Sequence, residues 1–250
     1  MNTVAASCLV FAFAFGGAML GVLVHRLLPD HELSSDSKDV VRITMGLVAT
    51  TLALVLGLLV ASAKGFYDTQ NAEVTRLSAD VLLLDRLLAH YGSEATEVRA
   101  TLRTSVARQM KLMRKDSSGG FDTSLAPQAG EILVDKIQEL PSSDDRQRSL
   151  QAQALTLAIE LGQTRLLMLE QRRLPIPTLL LTTLVFWLFT LFASFGLFAP
   201  SNFTVHASFF AAAAAVSGAV FLILQMYYPY SGLIQISDAP LRAALAQLGQ

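Results

Sequence analysis

Cysteine is almost missing from this chain. Cys8 is the only one in 250 residues, so no internal disulfide framework exists to hold a small secreted fold. It lies inside an apolar run and reads as a small hydrophobe. Val4-Ala5-Ala6-Ser7 before it has the look of a lipoprotein cleavage site, but no basic region and no apolar leader precede it. The same lack argues against a cleaved signal peptide and for a retained membrane anchor. Histidine is as sparse: His25, His31, His90 and His206 are scattered, which removes metal-ligand spacing. His206 reads as a polar cap at the mouth of an apolar segment. The chain has no Gly-rich phosphate loop, no GxSxG, no HExxH and no CxxC. The expectation is therefore no enzyme, with no catalytic residues, no metal site and no cofactor.

Charge is missing in blocks. Between Lys64 and Arg173 lie 15 of the 19 Lys and Arg and 15 of the 20 Asp and Glu, and the segments on either side are nearly uncharged. A net charge of −1 gives nucleic acid nothing to hold, so no nucleic-acid partner is expected. Hydrophobic residues make up 52% of the chain and the mean hydropathy is +0.47, too high for an ordinary soluble domain. The partner implied is a lipid bilayer.

Four apolar stretches are long enough to cross the ~30 Å hydrocarbon core as helices: about 4–28, 43–63, 176–198 and 204–225. The first carries Gly17 and Gly21 as a GxxxG, which lets another helix approach closely. Pro29 to Arg42 reads as a mixed-charge loop. The second span has two faces of small or hydroxylated residues. Gly46, Thr50, Ala53, Gly57 and Ala61 form one stripe; Thr44, Val48, Thr51, Val55, Leu58 and Ser62 form the other, on roughly the opposite side. Small stripes suit helix packing. Membrane hydroxyls commonly bond their own i−4 carbonyl, and lining a water-filled path is the alternative. Pro175-Ile176-Pro177 opens the third span, and a tight turn at Gly196 to Asn202 leads to the fourth. There Ala207, Ala211, Ala215 and Ala219, with Gly218 beside them, make another packing face. Tyr227, Tyr228 and Tyr230 read as interfacial anchors.

Past Lys64 the pattern changes without a proline. Val74, Leu77, Val81, Leu84, Leu88 and Tyr91 keep a strict 3,4 spacing, a coiled-coil-like seam. It continues roughly through Ala95, Val98, Leu102, Val106, Met110 and Met113, with Gly92 as a C-cap and Ser93 as the next N-cap. Arg99, Arg103, Arg108, Lys111, Arg114 and Lys115 crowd the far end and read as a solvated cationic face. Ser117-Ser118-Gly119-Gly120 marks a turn, and a short helix over Glu131 to Leu140 follows. Ser142-Ser143-Asp144-Asp145 then caps a returning helix. Its seam is Leu150, Ala154, Leu157, Leu161, Arg165 and Met168, apolar but for Arg165.

The expected fold is all-α: a four-span transmembrane helical protein with a long antiparallel, coiled-coil-like hairpin inserted between spans two and three. It divides into 1–63 (spans one and two), 64–175 (the extramembrane hairpin domain), 176–228 (spans three and four) and 229–250 (a C-terminal amphipathic tail ending in a short helix that Asp238 or Pro240 would start). Lys64, Arg76, Arg165, Arg172, Arg173 and Arg242 on one side, against Arg26, Lys38 and Arg42 on the other, place the hairpin and both termini in the cytoplasm.

Several short motifs also resemble the bacterial bestrophin-like membrane family. They are Val60-Ala61-Ser62-Ala63-Lys64 with Tyr67-Asp68-Thr69-Gln70, and Leu83-Leu84-Asp85-Arg86-Leu87-Leu88-Ala89 with Tyr91-Gly92. Gly196-Leu197-Phe198-Ala199-Pro200 with Asn202, and Pro229-Tyr230-Ser231-Gly232 with Ile236-Ser237, complete the set. The family-motif residues carried over are Lys64, Tyr67, Asp68, Asp85, Arg86, Pro200, Asn202, Pro229 and Gly232. Bestrophins are pentameric anion channels, and no bestrophin pore motif carries over residue by residue. Relatives often have acids just before the Pro-aromatic-Ser-Gly turn, where this chain has Gln225 to Tyr228, so any role of those acids does not transfer.

Two functional readings follow. One is an oligomeric, anion (chloride)-permeable channel of the bacterial inner membrane, its pore lined by Thr44, Thr51, Val55, Leu58 and Ser62. Gly17, Gly21, Gly46, Gly57, Ala211, Ala215 and Gly218 would pack its helices within or between the copies of a homo-oligomer. The other is a non-conducting scaffold or sensor whose hairpin binds a partner. The spans hold almost no ionisable residue, which weighs against a proton- or ion-coupled transporter.

Overall fold

The computed structural model describes residues 3–29, 35–116, 128–173, 178–230 and 232–249. Their regular structure is helical, with no strand among them. In order come α1 (Thr3–His25), α2 (Ser35–Tyr91), a 3-10 turn (Ser93–Ala95), α3 (Thr96–Asp116), α4 (Gln128–Gln138), α5 (Asp145–Arg173), α6 (Thr178–Phe198), α7 (Phe203–Tyr227) and α8 (Ala239–Gln247). The turn at Ser117 to Gly120 and the opening Pro175-Ile176-Pro177 fall outside the described residues.

The chain forms two compact units. The first comprises Met1–Phe66 and Pro175–Tyr227, the second Tyr67–Leu174 and Tyr228–Gln250. In the first unit α1, α6, α7 and the start of α2 are each long and apolar enough to cross a membrane. Their shared core holds Val10, Ala14 and Ala18 of α1, Leu52, Leu59 and Ala63 of α2, Leu184 and Leu188 of α6, and Ala213 and Val220 of α7. The second unit buries Val74, Leu77, Val81, Leu84, Leu88 and Tyr91 against Val98, Leu102 and Val106 of α3, Leu133 and Ile137 of α4, Ala154, Leu157 and Leu161 of α5, and Leu241 of α8. Residues spaced 3 and 4 apart share one helical face, which is why one stripe of α2 supplies this core.

The loop expected over Pro29 to Arg42 is shorter. Helix α2 already begins at Ser35. No Gly or Pro interrupts 35–42, Asp36 stands in the first turn where a negative charge suits the helix dipole, and Asp39 pairs with Arg42 one turn on (3.9 Å). At its other end α2 stops where expected. Gly92 takes φ +127°, a conformation that residues with a Cβ rarely adopt. Ser93 then enters the 3-10 turn and does not cap α3 directly; the Thr96 hydroxyl donates to the Ser93 carbonyl (2.6 Å).

Helix α5 begins with a working cap. The Asp144 carboxylate accepts the Gln147 N–H (2.6 Å), and the Gln147 side-chain oxygen accepts the Ser143 N–H (2.8 Å), close to a capping box. The same glutamine donates to the Tyr91 carbonyl (3.3 Å), and the Tyr91 hydroxyl donates to the Pro141 carbonyl (2.9 Å). The end of α2 is thereby tied to the start of α5.

Candidate functional site

The first unit owes its tightest contact to glycine. A Cβ on Gly21 would lie 2.0 Å from the Ala193 carbonyl oxygen, one on Gly196 2.0 Å from the Ala18 carbonyl oxygen, and one on Gly17 2.8 Å from the Phe189 carbonyl oxygen. Helices α1 and α6 therefore touch backbone to backbone, and each supplies glycine to the contact. Gly196 was expected in a turn; it lies in the last turn of α6. Near this contact the His25 Nδ1–H donates to the Leu197 carbonyl (2.7 Å), one of the carbonyls a helix end leaves open. Against α7, the Ser217 hydroxyl donates to the Ser7 carbonyl (2.6 Å), and the Gln225 amide, 2% exposed, donates to the Thr3 hydroxyl (3.1 Å). An apolar crevice of about 510 Å³ among α1, α6 and α7 carries one hydroxyl, Thr182, in its lining.

The α2 faces named for a pore and for packing sit differently. Gly46, Thr50, Ala53, Gly57 and Ala61 are all exposed in the single chain, as are Thr44, Thr51, Leu58 and Ser62; Val55 is partly buried. A Cβ on Gly46 or Gly57 would meet nothing within 4 Å. Only 11% of the apolar window of α2 is buried within the chain, against 39% for α1. The hydroxyls of Thr44, Thr50 and Thr51 donate to the carbonyls of Val40, Gly46 and Leu47 (2.9–3.0 Å), so each turns back on its own helix. The Ser62 hydroxyl meets the Tyr227 hydroxyl (3.1 Å), and the Tyr227 ring lies 5.7 Å from that of Phe66. On α7, Ala211, Ala215 and Gly218 are also exposed, and the buried face is Ala213, Val220, Ile223 and Leu224.

The residues quoted as family motifs gather mostly in the second unit. Asp85 is 5% exposed and accepts a two-pronged bond from Arg99 (2.8 and 2.9 Å) and the Gly249 N–H (3.3 Å). It thus joins α2, α3 and the C-terminal tail. Burial pushes its carboxyl up, but the hydrogen bonds from Arg99 and Gly249 and the Arg99 charge outweigh that and hold it below its ordinary value. Arg99 is pushed up by the same pairing. It was expected on a solvated cationic face and is instead a partner of a buried acid.

Tyr230, expected as a membrane-interface anchor, is 7% exposed and donates to the Gln70 side-chain oxygen (3.0 Å). A phenol needs one polar partner, and Gln70, itself fully buried, supplies it inside the helical unit. The Pro229 carbonyl accepts the Ile236 N–H (2.8 Å), and the Tyr67 hydroxyl donates to the Gln235 carbonyl (3.4 Å). Lys64, Asp68 and Arg86 are exposed. In the first unit the Asn202 side chain accepts the Val205 N–H (2.9 Å) and starts α7 after Pro200. At α8 the Ala239 N–H goes to the Ser237 hydroxyl, and Asp238 pairs with Arg242 (2.6 Å).

No group of His, Cys, Asp and Glu able to hold a metal occurs among the described residues. Four apolar helices joined to a polar helical body define a membrane protein of the helical class. The chain belongs to the Bestrophin-like domain family, which it matches over residues 12–241. In fold it is similar to a bacterial bestrophin homologue from Klebsiella pneumoniae carrying an isoleucine-to-threonine mutation. That likeness has a TM-score of 0.62 and 12% identity, over 96% of this chain and 97% of the other. No curated protein matches the chain in sequence.

Proposed function

We propose that the chain is the protomer of a homo-oligomeric ion channel of the bacterial inner membrane, permeable to anions such as chloride. The observation that carries this reading is the uncovered span of α2. A helix so apolar, with two small-residue faces and 11% of its window buried, has more contact surface than one chain uses. Neighbouring copies would cover the Gly46–Gly57 face, and the Thr44, Thr51, Val55, Leu58 and Ser62 face would line the pore. Because the threonine hydroxyls bond their own backbone, that face would present mainly methyl groups, a surface that gates by dewetting. Family membership supports the same reading, since bestrophins, to which the sequence motifs bear a resemblance, are anion channels. In this arrangement four spans carry a long antiparallel hairpin of α2 and α5, supported by the Gln147–Tyr91 bond at one end and by Leu77 and Val81 packing near Leu161 at the other. The hairpin and both termini would lie in the cytoplasm.

The test is current across a planar bilayer containing the purified protein, with KCl asymmetric across it. A reversal potential near the chloride equilibrium value is the expected result, and one near the potassium value overturns the selectivity. Unchanged conductance in a Thr51→Leu, Ser62→Leu double variant removes α2 as the pore wall. The second reading, a scaffold or sensor, rests on the unbroken run of α2 from Ser35 to Tyr91. A silent bilayer from folded protein favours it, and a Gly-Pro insertion after Lys64 should then abolish signalling.

A further inference from the structure

The seam of α5 carries one charge. Leu150, Ala154, Leu157, Leu161 and Met168 pack into the core of the second unit, and Arg165 stands among them, one turn beyond Leu161. A guanidinium cannot shed its proton at physiological pH, so burying one normally brings a carboxylate with it. Here none comes. Arg165 makes no ion pair among the described residues, and its buried Nε–H finds no acceptor there. Its charged neighbour is a second cation, Arg108 of α3. Burial first, then Arg108, pulls the Arg165 guanidinium below its ordinary range.

Arg165 borders two cavities, both inside this unit. The smaller, about 70 Å³, lies among Leu77, Val81, Leu102 and Leu241, with Ser105 and Gln109 as its other polar members. The larger, about 310 Å³, runs between α4 and α5 along Val134, Ile159 and Leu166. Gly130, Ala158, Gly162 and Arg165 line both, so the guanidinium stands where the cavities meet. The two glycines hold that junction open, since a Cβ on either would meet nothing within 4 Å. Glu131 and Asp135 also line the larger cavity, but both are exposed. Water screens their charge more than it screens the half-buried guanidinium of Arg165.

We propose that this junction of α3, α4 and α5 binds a small amphiphilic monoanion, a carboxylate on a short alkyl chain. The carboxylate takes the two-pronged geometry for which a guanidinium is shaped, and the alkyl chain lies on the leucine and valine lining. A compact inorganic anion fits less well, because it would surrender its hydration to a mainly aliphatic wall whose polar members are Arg165, Ser105 and Gln109 and, toward solvent, Glu131, Asp135 and Gln163. A site of mostly apolar wall with few convergent polar groups is the usual form of a small-molecule pocket. This inference concerns the second unit alone and does not rest on the channel reading.

The experiment is hydrogen exchange on the full-length protein in lipid nanodiscs, titrated with hexanoate, and with hexanol and acetate as matched controls. Hexanoate should slow exchange in peptides covering 98–110 and 155–168, and neither control should do so at equal concentration. Arg165→Met should weaken the hexanoate effect about tenfold or more, as losing a charge-assisted pair does. Gly162→Leu should do the same by filling the junction while leaving the charge in place. Without ligand, Arg165→Met should be at least as stable as the parent, since it replaces a half-buried charge whose Nε–H has no acceptor among the described residues with an apolar chain of similar length. Equal protection by hexanol, no protection, protection confined to the spans, or undiminished protection in Arg165→Met would each overturn the proposal. So would a destabilised Arg165→Met, because the guanidinium would then already have a partner.

Discussion

The sharpest prediction concerns one methyl group. Gly21→Ala places a Cβ 2.0 Å from the Ala193 carbonyl oxygen and 2.7 Å from the Leu197 nitrogen. Ordinary contact begins near 3.4 Å, so α1 and α6 must part by roughly 1.4 Å at that point. A gap of 0.5–1 Å already forfeits about a quarter to a half of each dispersion contact along the seam. Helices in lipid have no hydrophobic drive to pull them back together. Overpacking of this kind costs about 1–3 kcal/mol, set against up to about 1 kcal/mol that alanine returns in helix propensity. A net loss of about 1 kcal/mol is expected. The assay uses a reporter the chain supplies: Trp187, its single tryptophan, lies partly buried on α6. Its emission during denaturant titration in detergent, at dilution that leaves single protomers, should show Gly21→Ala unfolding well before the parent. Gly57→Ala on α2 is the control, because its new methyl meets nothing within 4 Å and should leave the protomer's midpoint unchanged or raise it slightly through helix propensity. Equal midpoints for Gly21→Ala and the parent would refute the backbone-contact argument, as would an equal loss in Gly57→Ala. A Gly57→Ala that alters assembly but not protomer stability would mark that face as a contact between copies.

The Asp85 cluster and the Tyr230 bond give two further predictions. Asp85→Asn leaves Arg99, mostly buried, without its anion, and should cost about 2–3 kcal/mol in thermal unfolding of the second unit. The pH dependence has a definite sign. The folded carboxyl lies below its ordinary value of 3.8, so its contribution is complete above about pH 5. It is lost as pH falls through the lower folded value. Acid titration of the parent should show that loss and Asp85→Asn should not; parallel acid curves would sink the assignment. Tyr230→Phe removes the donor to a fully buried Gln70 and should cost about 1–2 kcal/mol. Its hydrogen exchange should rise around residues 67–74 and 228–236, and a change confined to lipid binding would instead restore Tyr230 to the membrane interface.

What the sequence determines by itself is what repeats locally. The 3,4 spacing of Val74 to Tyr91 and of Leu150 to Met168 names the buried faces, because side chains one turn apart must share a side of a helix. Gly92 names the end of α2, because the φ it adopts strains a residue with a Cβ. Length and apolar composition name the four helices able to cross a bilayer. The bestrophin-like family, too, was legible in short motifs from Lys64 to Gly232. Partner choice was not legible. Tyr230 and Gln70 are 160 residues apart, and no local pattern says that a tyrosine after an apolar span turns into a helical core. Arg99 reads as one cation in a row of cations until the fold brings Asp85 and the Gly249 N–H to it. Gly196 reads as a turn glycine until α6 is laid against Ala18. Charge in the wrong place is visible earlier: Arg165 breaks the α5 seam on sight, but only the packing of α3 and α4 around it leaves a cavity beside it and brings the Arg108 cation near. The faces of α2 mark the boundary of both. The sequence makes them small and hydroxylated, and one folded chain leaves them uncovered, so what meets them depends on surfaces outside the chain.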